Sequence, residues 1–105
     1  MRQYQLRSYY FTSAAAAANY ILRWQPHVNS LKIFDVGTHG FFSVKEEPAR
    51  VVALVSYPPG ADPDAVVRAY MQSEGFRADM AGFDMSQMER VETLLLVPGE
   101  GSPLA

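Results

Sequence analysis

Two histidines, an arginine and a glutamate placed in separate β-like stretches, and a large set of phenols are the side chains of this sequence with chemistry to offer. Imidazole is the side chain whose ordinary pKa suits proton transfer near neutrality. His39 lies between Gly37 and Gly40, where backbone can come close to a ligand. Strand alternation places it on the face of Phe41 and Ser43. It is the candidate proton-transfer group, and a solvent-facing strand end is the alternative reading. His27 follows Pro26 near the end of a helical pattern, where a cation interacts well with the helix dipole, and it is given a structural role.

Arg7 and Glu92 fall in the middle of the first and last strand patterns, which neighbour each other in the expected fold. A guanidinium opposite a carboxylate can orient a substrate carboxylate or enolate oxygen. The same pair can serve only as a cross-strand ion pair that sets register or a dimer interface. Tyr9 supports the catalytic reading as a phenol able to donate to a developing oxyanion. Trp24, Tyr20, Phe41 and Tyr70 are the candidate substrate-binding rings, with core packing as their other use. Met71, Met80, Met85 and Met88 read as adaptable core filler rather than a ligand box.

Composition removes several classes. The absence of cysteine excludes disulfides, thiolate metal sites and cysteine nucleophiles. Two histidines without ligand spacing argue against a metal site, and there is no Gly-rich phosphate loop, serine elbow or H-E-x-x-H helix. The reading therefore assigns no metal and no cofactor. A net charge of -2 with nine scattered Lys and Arg leaves no basic stripe for nucleic acid. No run approaches the ~20 apolar residues of a membrane span. The polar, alternating start MRQYQLRSYY lacks the apolar segment of a secretion signal, so a cytoplasmic location is expected.

The elements that must position these residues follow from periodicity. Alternation from Gln3 to Phe11 predicts a strand with Tyr4, Leu6, Ser8 and Tyr10 on one face and Gln5, Arg7, Tyr9 and Phe11 on the other. Thr12 or Ser13 then caps a helix carrying Ala17, Tyr20, Ile21, Trp24, Val28 and Leu31 at helical spacing, and Pro26 kinks or breaks it. Strands are predicted over 38–45 and 50–57, joined as a hairpin. Asp62-Pro63 starts a second helix, a helical connector spans 76–83, and the last strand runs over 88–97. With 105 residues this is one domain, residues 1–98, followed by a flexible tail, 99–105.

The order βαββαβ is the split β-α-β unit: an α+β, ferredoxin-like fold, one four-stranded antiparallel sheet with two helices on one face. Large residues on both strand faces call for a second cover, and a partner subunit's sheet is the simplest one. A homodimeric α/β barrel is the expected assembly.

Four segments carry a family resemblance. The opening YQLRSYYFTSAAAAANYILRW resembles the start of NIPSNAP-domain proteins, where Y-E-L-R-x-Y leads into an amphipathic helix, and HVNSLKIFDVGTHGFFSV, VVALVSY and MERVETLLLVP match further on. Together they span nearly the whole chain. The chain departs from the pattern at Gln5, where an acidic residue is common, and at Ala53, where a larger polar residue often lies. The resemblance implies a homodimer with a small pocket in each subunit, within a group of dimeric barrels that includes cyclases, small monooxygenases, isomerases and stress-responsive proteins. The family has no generally agreed reaction, so none is carried over.

The functional expectation is a cofactor-independent enzyme performing acid–base chemistry (cyclisation, isomerisation or elimination) on an aromatic or polyketide-like small molecule. His39 is the proton-transfer group, Arg7 the anchor for negative charge, and Tyr9 and Glu92 the supports. Two rivals stand beside it: a non-catalytic ligand-binding or stress-related homodimer, and a cofactor-free monooxygenase acting on an electron-rich ring.

Overall fold

Where the side chains alternate the chain is extended, and where apolar residues recur every three to four it is helical. In the computed structural model, which describes residues 1–104, Gln3–Phe11 forms β1, Ala14–Ile21 α1, Trp24–Lys32 α2, Gly37–Val44 β2, Glu47–Tyr57 β3, Pro63–Met71 α3, Glu74–Asp79 α4 and Met88–Leu96 β4. A short 3-10 turn, Met85–Gln87, leads into β4. The sheet order is β2-β3-β1-β4 with every neighbouring pair antiparallel. This is the expected ferredoxin-like α+β arrangement, with each helical crossover divided in two.

The first division has a local cause. Pro26 lacks the N–H that would bond the Leu22 carbonyl, and its ring crowds that carbonyl. The helix therefore ends before Pro26 rather than at it: α1 stops at Ile21, and α2 restarts at Trp24 with Pro26 in its first turn, where no donor is required. The expected break at Pro26 thus falls earlier, and His27 lies near the beginning of a helix instead of its end. The dipole reading of His27 fails with it. Ser13 caps α1 by accepting from Ala16 N at 3.0 Å, and Asp62 caps α3 by accepting from Asp64 N at 3.1 Å.

Gln5, Arg7, Tyr9 and Phe11 of β1 and Val51, Ala53, Val55 and Tyr57 of β3 face the helices. Tyr9, Phe11 and the β3 residues pack with Ala17, Tyr20, Trp24 and Leu31 from α1 and α2 and with Tyr70 and Met80 from the second crossover. The other face carries Tyr4, Leu6, Val52, Leu54, Phe42 and Leu94, of which Phe42 is 55% and Leu94 62% exposed. At the sheet edge, residues 89–96 of β4 are exposed on both faces. Part of the open face is crossed by the C-terminal segment, where the Leu104 carbonyl accepts from the Tyr4 hydroxyl at 2.9 Å.

Pairing slips at Tyr10/Phe11 and at Ser43/Val44, and a third slip, in β2, moves a candidate residue. The register slips between Thr38 and Gly40, so one extra residue, His39, is accommodated opposite β3. Its side chain swings to the open face, where Nε2 lies 2.8 Å from Ser56 Oγ and the ring packs on Tyr4 at 5.2 Å. Phe41 remains on the helix face, stacked on Trp24 at 6.1 Å. The expected common face of His39 and Phe41 is not formed.

The two crossovers meet where α4 crosses α2. A Cβ on Gly75 would sit 2.9 Å from Ser30 Cβ, a contact that neither backbone can relieve by a rotamer change. Gly75→Ala is expected to force the helices apart and to lower stability by about 1–3 kcal/mol, seen as a lower urea midpoint with an unchanged slope.

Candidate functional site

A cavity of about 90 Å³ lies between the sheet and the helices, and its walls contain Arg7, Tyr9, Tyr20, Trp24, His27 and Tyr70. Met71, Met80, Met85 and Met88 also line it. Met71 and Met85 are 47% and 43% exposed, so the cavity reaches the surface between α3, the 3-10 turn and β4. The sequence reading took these methionines for filler. Met80 and Met88 do pack in or against the core, while the exposed Met71 and Met85 form an adaptable rim.

His27 is 2% exposed and its ring is held from several sides. It stacks on Phe76 with ring planes 13° apart and meets Trp24 and Tyr70 edge-on. Nδ1 lies 2.8 Å from Asp79 Oδ2 and 2.6 Å from the Tyr70 hydroxyl. Ser30 Oγ donates to the same Asp79 oxygen at 2.5 Å and lies 2.8 Å from the Tyr70 hydroxyl. One placement of protons satisfies every member. Nδ1–H is shared between the Asp79 carboxylate and the Tyr70 oxygen, Ser30 donates to that carboxylate, and Tyr70 donates to Ser30. Nε2 is then the free lone pair of a neutral imidazole, held in one tautomer by a carboxylate on its far side.

Burial pushes the His27 pKa below the ordinary histidine value, and the Asp79 hydrogen bond offsets only part of that. The Tyr70 hydroxyl is driven up, by burial first, with the Asp79 charge adding to the shift. The phenol therefore stays a donor at neutral pH.

Arg7 is held differently. Nε donates to the Tyr9 hydroxyl at 2.7 Å and Nη1 to Gln5 Oε1 at 3.0 Å, while Tyr57 donates to the same Gln5 oxygen at 2.6 Å. The guanidinium also lies 5.5 Å from the Tyr9 ring centroid. Burial opposes the charge, the Tyr9 oxygen supports it, and the balance leaves the pKa raised. Arg7 is a cation surrounded by neutral oxygens.

Of the residues expected from sequence, Arg7, Tyr9, Trp24, Tyr20 and Tyr70 are brought together around this cavity. Three are not. His39 is on the opposite side of the sheet for the reason given above. Phe41 is outside the lining and backs Trp24. Glu92 pairs in register with Ser8 while Arg7 pairs with Thr93, and this one-residue offset puts Glu92 on the open face. There it accepts from the Tyr10 hydroxyl at 2.9 Å and from Arg90 Nε at 3.2 Å, contacts that hold its carboxyl below the usual range. The expected Arg7–Glu92 pair does not exist. The sequence reading missed Asp79 and Ser30 altogether. Asp79 lies 52 residues from His27, and its single visible signal is an acid in an apolar run, Phe76, Ala78 and Met80.

With the geometry defined, comparison with known proteins is informative about the fold. No protein-family model matches the chain, and no curated protein sequence does. Solved structures match over almost its whole length. A NIPSNAP family protein from Agrobacterium tumefaciens superposes with a TM-score of 0.74 at 16% identity, covering 100% of both chains. An uncharacterized NIPSNAP domain protein from Burkholderia xenovorans gives 0.72 at 15% identity, covering 96% of this chain and 98% of the other. A putative antibiotic biosynthesis monooxygenase from Bacteriodes thetaiotaomicron gives 0.62 at 16%, with 92% and 89% covered. The fold is thus the one that NIPSNAP family structures share with monooxygenase-type α+β proteins. The likeness first read from the strand and helix motifs holds for the architecture.

The lowered His27 pKa has a measurable consequence. Between the ordinary value of 6.5 and the lower value in the fold, the unfolded chain takes up a proton that the native site refuses. This contribution is present in full above the ordinary value and is lost as pH falls through the window below it. Urea midpoints measured from about pH 7 to about pH 5 should fall on acidification, and His27→Gln should flatten that decline. An equal slope in the variant would show that other groups govern it.

Proposed function

We propose that the chain is a small-molecule enzyme performing acid–base chemistry in the cavity between helices and sheet, with His27 as the proton-transfer group and Asp79 orienting it. The observation that carries this reading is the buried His27–Asp79 pair, of which His27 lines the cavity, since a carboxylate on Nδ1 leaves Nε2 as a base of defined direction. A buried phenol, a guanidinium and aromatic walls around it suit a substrate with an enolisable or phenolic oxygen. Cyclisation, isomerisation and elimination all need that proton transfer, and no cofactor is required for any of them. His39, the sequence's candidate base, is replaced in this role by His27.

A cofactor-free monooxygenase is the second reading, favoured by the fold likeness to a putative antibiotic biosynthesis monooxygenase. It would use the same cavity on an electron-rich ring. A non-catalytic binding dimer is the third.

The assembly proposed with this function is a homodimer closed through the open sheet face. Phe42, Leu6, Val52, Leu54 and Leu94 make that face apolar, and β4 presents Leu94, Leu95 and Leu96 at an unpaired edge. An edge of this kind invites pairing. A second copy satisfies both demands by laying the same face against it.

Two measurements test these proposals. Deuterium exchange into the α-position of benzoylacetone, followed by proton NMR, should be accelerated by the protein and should fall by roughly 100-fold or more in His27→Gln. Exchange no faster than buffer across enolisable aromatic ketones would remove the acid–base reading, while protein-dependent oxygen uptake on phenols would favour the second one. Light scattering should give twice the chain mass, and Leu94→Glu should shift it toward the monomer.

A further inference from the structure

The cavity's two charged groups are treated unequally. His27 has its own carboxylate, whereas no carboxylate among the described residues comes within ion-pair distance of Arg7. Arg7 gives Nε to Tyr9 and Nη1 to Gln5, both uncharged, and makes no hydrogen bond to a carboxylate among the described residues. A partly buried cation without a counter-charge is unfavourable unless something supplies one. An uncompensated positive charge in the cavity wall calls for an anionic oxygen acceptor.

We propose that the cavity binds a small organic acid, whose carboxylate pairs with the Arg7 guanidinium while its apolar body lies against the methionine rim. This deepens the functional reading by naming the substrate class of the same site. The volume of about 90 Å³ limits the body to a short chain or a single ring, and Met71 and Met85 can turn aside to admit the larger of these. Gln5 is central to the selectivity. Its side-chain oxygen is already 3.0 Å from Arg7 Nη1, so a carboxylate at that position would neutralise Arg7 from within and compete with the ligand.

Trp24 is the single tryptophan of the chain and lines the cavity, so its fluorescence reports occupancy directly. Titration with butyrate and benzoate, against butyramide and benzamide as neutral isosteres, should perturb Trp24 with the acids and not with the amides. Arg7→Met should weaken acid binding by roughly 30-fold or more. Gln5→Glu, which keeps the shape and leaves Arg7 in place, should weaken it as well and serves as the decisive variant if Arg7→Met does not fold. Arg90→Gln, on the open face away from the cavity, should leave acid binding intact, which separates loss of the anion site from a general effect of substitution. Equal binding of acids and amides, or acid binding indifferent to Gln5→Glu, would overturn the anion site while leaving the cavity reading in place. Silence of Trp24 toward all four probes would overturn the anion site, and proton exchange on benzoylacetone would then decide the cavity reading alone.

Discussion

The Asp79 carboxylate holds three helices at one point. It accepts from His27 and Ser30 of α2 and lies within reach of the Tyr70 hydroxyl of α3, while itself ending α4. These bonds tie the first helical crossover to the second above the sheet. Apolar packing brings the helices down onto β1 and β3 but says little about where one crossover stops against the other. A carboxylate with charge-assisted bonds is selective about direction, and losing it would leave several buried polar groups unpaired. Gly75 belongs to the same junction, because only a residue without Cβ lets α4 approach Ser30 this closely.

That junction gives the cavity its chemical character. Rings from α1, α2 and α3 form the walls, and the polar groups are few and individually held, as a site that must orient a small molecule requires. The imidazole is kept neutral by burial and fixed in one tautomer by Asp79. The guanidinium is kept charged and braced by Tyr9 and Gln5, with Tyr57 behind Gln5. A base and a cation in one apolar enclosure is a combination suited to removing a proton from, and stabilising the charge on, an acidic small molecule.

The far side of the sheet has a different physics. Its groups include exposed apolar residues, the buried Tyr4, Ser8 and Ser56, and surface ion pairs, such as Arg90 with Glu92, of small energetic value. A pocket at its β4 edge is lined by Arg2, Tyr4, Leu95 and Leu96, and His39, Ser56 and Arg2 form a local hydrogen-bonded cluster. The two sides thus differ in kind: the helix face carries the aromatic cavity with His27 and Arg7, and the open face with the β4 edge carries exposed apolar residues.

Strand alternation, helical periodicity and cap residues were legible from the chain alone, since each depends on neighbours within a few positions. They determined the βαββαβ order, the partition of β1 into two faces, the cap at Asp62, a first cap at Thr12 or Ser13, and most of the rings around the cavity. Alternation put Arg7 and Tyr9 on one face with Gln5 and Phe11 without saying which face meets the helices, and the structure turns that face toward them. Three features escaped that reading. A bulge at His39 reversed one side chain, a one-residue offset separated Arg7 from Glu92, and a helix break earlier than Pro26 moved His27 from a helix end into the cavity wall. Local pattern specifies which face a residue occupies only if the register is regular, and register is set by the pairing of distant strands. The bond from His27 to Asp79 joins residues 52 positions apart, so it exists only once both crossovers have packed on the same sheet.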